Sequence, residues 1–183
     1  MKNTVSDNSS PVLSLQELTS ITPLDGRYRA KLVELAYYFS EYSLIKIRCE
    51  IEAKYLIALS EAKVIRKLSA KEKKLLLDFD QTINLELAHK VKEVEKQTRH
   101  DVKAMERTIR SLLQNSSLVD VIEKIHFGLT SEDVNNSAYR LMVYRGTQEV
   151  ILPALIACIA IDSGISSNVS QERPSDNIIL NNS

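Results

Sequence analysis

The sequence predicts an all-α protein, and three observations carry that prediction. Glycine and proline are scarce, with 4 of each in 183 residues, so few positions are suited to breaking a helix. Apolar residues recur at spacings of three and four, the period of a helix face, and nowhere alternate as in a half-buried strand. A hydroxyl followed three residues later by an acid, the mark of a helix start, occurs at Ser69 with Glu72, Thr98 with Asp101 and Thr130 with Asp133.

The elements follow in order. Residues 1–15 are Ser-, Asn- and Asp-rich and predict a disordered tail. Thr22-Pro23-Leu24-Asp25-Gly26 predicts a tight turn, with Arg27 and Tyr28 directly after it. From Ser40, a fitting N-cap, Leu44, Ile47, Ile51, Tyr55 and Leu59 mark one face of a helix, with charges on the other. The Ser69/Glu72 box opens a second helix whose buried side is Leu75, Leu76, Phe79 and Ile83. Residues 84–97 fit neither period cleanly and read as helix turning to extended chain. Thr98 and Asp101 precede Val102, Met105, Ile109, Leu112 and Leu113, a third helix starting at Arg99-His100-Asp101. Leu118 to Ile125 predicts a short helix ended by Gly128. Thr130-Ser131-Glu132-Asp133 opens a long helix carrying Val134, Ala138, Leu141 and Met142 on one side. Pro153 either kinks it or sits in the first turn of a successor reaching Ile161. Residues 162–183 turn abruptly polar and predict disorder, although Val150 to Ile161 is apolar enough to need a covering partner. That contrast points to truncation.

Composition narrows the function. Hydrophobic residues make up 44% and charged residues 26%, as in a soluble globular protein. The 24 Lys and Arg balance the 24 Asp and Glu, leaving no net field to hold nucleic acid or an anionic membrane. The N-terminal residues lack the apolar run of a signal peptide, no later stretch reads as a membrane span, and a cytoplasmic protein is expected. Cys49 and Cys158 stand far apart without a CxxC pair, and no His/Asp/Glu cluster suggests a metal, so neither a disulfide, a metal nor a cofactor is expected.

Two predicted helix starts, Arg99-His100-Asp101 and Thr130-Ser131, place polar groups where backbone amides and the helix dipole favour anions. Singly, each has an ordinary structural explanation as a cap, and Arg27-Tyr28 can be an exposed charge beside a packed aromatic. His126, next to Phe127, reads as a packed core histidine.

The ordered set is more specific. TPLDGRY (Thr22 to Tyr28), FSEYSLIKIR (Phe39 to Arg48), TRHDVKAME (Thr98 to Glu106), IHFGLTSEDVNN (Ile125 to Asn136) and EVILP (Glu149 to Pro153) resemble, in order and separation, the first part of the adenylosuccinate lyase family of the fumarase/aspartase superfamily. The resemblance covers about Leu15 to Ile161. It implies an N-terminal helical domain at 16–117, followed at 118–161 by the first long helices of a fumarase/aspartase-type central bundle. It further implies β-elimination of fumarate from adenylosuccinate, giving AMP, and from SAICAR, giving AICAR, by a homotetramer. On this resemblance Arg27 and Tyr28 contact the nucleotide, Arg99, His100 and Asp101 form a second substrate-binding segment, and Thr130 and Ser131 form a third that receives the succinyl carboxylate. The family's proton-donating His lies in a T-H-G-Q block and its base in an S-S-x-M-P-x-K-x-N-P loop. Neither block occurs here, so no catalytic residue is assigned and the chain alone is expected to be inactive. A catalytically dead helical module that binds nucleotide or another subunit, or another fumarate-releasing lyase of the superfamily, are the alternatives.

Overall fold

The structure, a computed structural model, describes residues 20–162. The two expected tails fall largely outside them, at 1–19 and 163–183. Seven α-helices are present among the described residues: α1 Val33–Phe39, α2 Glu41–Glu61, α3 Ala70–Leu77, α4 Leu85–Thr98, α5 Asp101–Leu113, α6 Ser131–Gly146 and α7 Leu152–Asp162. No strand occurs among those residues, as the scarcity of glycine and the helical period predict.

Helix α2 is the axis of the fold. Ser40 caps it, its Oγ accepting from the Ser43 amide at 3.2 Å. Leu44 and Ile47 face Ala138 and Met142 of α6. Ile45, Cys49, Ala53, Leu56 and Leu59 enter the main core with residues of α3, α4 and α5. With packing on two sides, the expected solvent face of charges is overturned: Arg48, Glu50 and Glu52 are buried, and each is paired with a group brought from elsewhere in the chain. A helix packed on both sides has no free face, which apolar periodicity alone cannot reveal. Burial also pushes the Cys49 thiol up to about 12, so it stays protonated.

The predicted box opens α3, with the Ser69 amide donating to Glu72 Oε2 at 2.8 Å and the Glu72 amide to Ser69 Oγ at 3.3 Å. Leu76, Phe79 and Ile83 are buried as expected, whereas Leu75 is exposed, because it lies about 100° around the helix from Leu76. Residues 85–98 form a regular helix and not the expected mixture. Asn84 caps it by accepting from the Leu87 amide at 2.9 Å, and Leu87, Ala88 and Val91 make the buried stripe. Ala88 completes the pattern, and Leu85, which obscured it, points outward.

At 114–130 the expected helix over Leu118–Ile125 is replaced by turns, with only Ile122–Lys124 forming a 3-10 turn. Amides there bond three residues back, as Val121 does to the Leu118 carbonyl at 2.9 Å. Ties to other elements compete with helix formation. Arg66 bonds the Ser117 carbonyl and the Asp120 carboxylate, Tyr55 the Phe127 carbonyl, and Glu52 the His126 amide. The apolar prediction survives, since Leu118, Val121, Ile122 and Ile125 all reach the main core.

Helix α6 runs antiparallel to α2: Tyr55 meets Phe127, Arg48 meets Asn135, and Phe39, just before α2, lies against Gly146. A Cβ at Gly146 would fall 2.6 Å from the Phe39 ring, so glycine permits the close approach of α1 and α6. Between α6 and α7, Thr147–Ile151 makes a π-turn. Pro153, which has no N–H to donate, falls in the first turn of α7. Gly146 and Leu152 both keep right-handed helical angles, so the helix runs on through the π-turn and no separate successor begins at Pro153.

Leu155, Ile156, Ile159 and Ile161 of α7 are exposed, the uncovered apolar run that the sequence suggested. The continuous helix Ser131–Ile161, 31 residues, is long and apolar enough on length and composition to cross a membrane, which corrects the expectation that no stretch qualifies. Its uncharged part, Val150–Ile161, spans only about 18 Å at 1.5 Å per residue, against about 30 Å of hydrocarbon. Glu149, which accepts from Tyr38 Oη at 2.8 Å, closes that stretch.

One pH response follows from the buried pairs. Hydrogen bonds from the Arg145 guanidinium, aided by Lys54, outweigh burial and hold the Glu50 carboxyl at about 2, from an ordinary 4.5. Arg66 and the Ser69 amide hold Glu72 at about 2 as well. A carboxyl depressed on folding stabilises the fold above its unfolded value and loses that contribution as protons bind. Stability is therefore expected to fall between pH 4.5 and pH 2. After allowance for solvent screening, Glu50 contributes about 1.5 kcal/mol of the fall. Urea titrations at several pH values should show a shallower slope in Glu50→Gln; an unchanged slope would discount the pair.

Candidate functional site

The starts of α5 and α6 come together although 31 positions separate His100 from Ser131. Helix α4 ends at Arg99, which takes the left-handed conformation at φ 51° and reverses the chain. His100 then caps α5, its Nδ1 accepting from the Lys103 amide at 3.3 Å. The expected cap, Thr98, instead closes α4 and bridges to the next residues, its Oγ1 donating to the His100 carbonyl at 2.9 Å. Its Nε2 lies 3.3 Å from Ser131 Oγ, a contact in which donor and acceptor follow the ring's tautomer.

Asp101 follows as the first residue of α5. Desolvation pushes its carboxyl up, but the Val102 amide and the Arg48 guanidinium outweigh this and leave it below the usual aspartate range. Its Oδ1 accepts from the Val102 amide at 2.8 Å and its Oδ2 from Arg48 Nη2 at 2.7 Å. At the start of α6 the Thr130 amide and hydroxyl both donate to Asp133 Oδ2, at 2.7 and 2.8 Å. These bonds hold the Asp133 carboxyl below the ordinary aspartate value. Ser131 is left half-buried, facing the imidazole.

The other predicted residues are placed differently. Arg27 and Tyr28 occupy the N-terminal turn, with the Tyr28 amide donating to the Pro23 carbonyl at 2.9 Å. The Arg27 guanidinium lies over the Tyr28 ring, 5.3 Å from its centre. Among the described residues, no hydrogen bond or ion pair joins them to the His100–Ser131 cluster. Arg99 is adjacent to the cluster in sequence with its side chain exposed. The structure thus brings together His100, Asp101 and Ser131, with Thr130 next to them, and leaves the turn at Arg27 separate.

Two further pairs escaped sequence reasoning. Arg48 links Asp101 to Asn135. Glu52, fully buried, accepts from the His126 amide at 2.9 Å and lies 2.6 Å from its Nδ1. His126 is therefore packed, as expected, but against a carboxylate. The available signal was an arginine and a glutamate set in the apolar run from Leu44 to Leu56, which passes as ordinary amphipathic patterning until α6 covers the second face.

A protein-family model described as a lyase matches residues 26–162, a span that contains Arg27 and both helix starts. The chain belongs to this lyase family. Its all-α, fumarase/aspartase-type fold is that of the family. Within it, adenylosuccinate lyase of Dictyostelium discoideum is 41% identical over 151 residues, covering 78% of this chain and 32% of the relative. Adenylosuccinate lyase of Legionella pneumophila strain Corby is 40% identical over 147 residues, again 78% and 32%. That of Escherichia coli K12 is 37% identical over 145 residues, covering 77% and 32%. The chain thus spans about a third of the length of these lyase relatives.

Proposed function

We propose that the chain is the N-terminal part of an adenylosuccinate lyase, contributing substrate-binding segments for the elimination of fumarate from adenylosuccinate and SAICAR. The observation that carries this reading is the convergence of His100 Nε2 and Ser131 Oγ, 3.3 Å apart at two helix starts, in a chain of about 40% identity to adenylosuccinate lyases. Deprotonation next to a carboxylate builds negative charge on that carboxylate. Hydroxyl, imidazole and first-turn amides placed there stabilise the transition state more than the ground state. In this reading Ser131 and Thr130 receive the succinyl carboxylate and His100 a second acidic group. Asp101 orients the segment, Arg99 lies at its edge, and the guanidinium of Arg27, stacked on Tyr28, suits a nucleotide phosphate.

Arg27 and Tyr28 would complete a site in the assembled homotetramer, where segments of different subunits combine; the division at 117/118 and a cytoplasmic location belong to the same reading. The proton-moving groups come from segments that these 183 residues do not include. The chain alone is therefore expected to bind and not to turn over.

Calorimetric titration of the chain with adenylosuccinate tests this. Saturable binding is expected, weakened roughly tenfold in His100→Ala or Ser131→Ala, the loss of one charge-assisted hydrogen bond. Equal binding by the variants, or none by the wild type, would discard the site. Fumarate release by the chain would overturn its inactivity.

A further inference from the structure

We infer that Arg48 is a positioning residue that locks the start of α5 to the start of α6 and so sets the separation of His100 and Ser131. The inference rests on reading those two residues as substrate-binding groups. Arg48 stands in the middle of α2, only 2% exposed, and touches neither of them by hydrogen bond. Its Nη2 donates to Asp101 Oδ2 at 2.7 Å and to Asn135 Oδ1 at 2.6 Å. Asp101 directly follows His100, and Asn135 is four residues after Ser131, one turn along the same face of α6. A single nitrogen therefore joins the two helices within one residue of the imidazole and one turn of the hydroxyl. The amide of Asn135 is oriented for this, its Nδ2 facing Glu132 Oε1 at 3.4 Å so that Oδ1 is free to accept.

The arrangement is not one that stability alone would select. The guanidinium is planar and presents its donors in a fixed geometry. Its Nε is buried without an acceptor, and a buried ion pair gains little over apolar residues of equal volume. The neighbours Ile45, Ile47 and Cys49 show that apolar side chains pack well at this level of α2. What the arginine supplies, and an apolar residue would not, is a fixed direction toward both helix starts.

The test reads the His100 ring directly. The chain has 3 histidines, and His100→Ala assigns its ring nitrogens in two-dimensional proton–nitrogen spectra of the full chain. In Arg48→Met the His100 nitrogens are expected to move to the averaged values of an exposed imidazole, and Arg48→Lys, which keeps a cationic donor, should restore part of the wild-type pattern. Leu118→Ala, a buried change in the turn segment, is the control for general loosening and should leave the His100 shifts in place. Adenylosuccinate affinity is expected to fall roughly tenfold in Arg48→Met, the scale on which outer supports of a binding group act. Should Arg48→Met fail to fold, Asn135→Ala removes only the α6 arm and is read in the same way. Wild-type His100 shifts in a folded Arg48→Met or Asn135→Ala chain, or equal movement in Leu118→Ala, would overturn the inference. Because the ring shifts need no ligand, a failure of the wild type to bind adenylosuccinate would remove the functional reading and leave this result standing.

Discussion

Glu52→Leu is expected to lower the free energy of unfolding by about 3 kcal/mol, a large part of a small domain's stability. Glu52 is fully buried, and both its oxygens are used, one by the His126 amide and one by His126 Nδ1. Whichever partner carries the proton between Oε1 and Nδ1, the contact at 2.6 Å is a closed pair. Leucine would fit the space and gain some apolar burial. It would also leave a backbone N–H and a ring nitrogen facing hydrocarbon, each costing about 1–3 kcal/mol. His126 has φ 63°, a strained value for a residue with a Cβ, and the Glu52 bonds help to hold it there. Glu52→Gln keeps one acceptor and is expected to cost about 1 kcal/mol. Urea unfolding of both variants checks the order; a Glu52→Leu midpoint equal to that of the wild type would show the pair to be dispensable.

The same residues show how far the sequence can be read. Starts of helices are local chemistry, so Ser40, Ser69 and Thr130 were legible: Ser40 and Ser69 accept from an amide of the next turn, and Thr130 donates its amide and hydroxyl to Asp133 three residues on. The helix start at His100 was legible as a place but not as a mechanism, because an imidazole caps where a hydroxyl was expected. Residues 85–98 misled because Leu85 faces outward while Ala88 fills the buried position, an exchange decided by the neighbouring helix α5. The turns at 114–130 could not be anticipated, since their carbonyls and amides are claimed by Arg66, Tyr55 and Glu52 from as many as 74 positions away. For the site, the residue types at both helix starts were visible in one dimension. The contact between them was not, because it depends on Arg48, whose burial follows from α6 closing over α2.

That burial leads to a second large effect at Asp101. Asp101→Ala is expected to cost about 3 kcal/mol, because it strands a guanidinium that is 2% exposed. Asn135 remains as a neutral acceptor, and the Asp101 side chain is 41% exposed. Water can therefore reach part of the vacated position, which keeps the cost at the lower end for a broken buried pair. Loss of a carboxylate from the first turn of α5 adds about 0.5 kcal/mol through the helix dipole. If the penalty comes from the stranded charge, removing the charge should relieve it. The double variant Asp101→Ala with Arg48→Met is expected to be more stable than Asp101→Ala alone, with a coupling of about 2 kcal/mol in a double-mutant cycle measured by urea unfolding. Additivity of the two changes to within about 0.5 kcal/mol would mean that the 2.7 Å contact carries little energy. A recovered stability in the double variant would not recover the site: both contacts through which Arg48 joins the starts of α5 and α6 would be gone, and His100 should keep the spectrum of an exposed imidazole in a well-folded chain. Stability and site geometry, which share one carboxylate in the wild type, would then be read separately in the same protein.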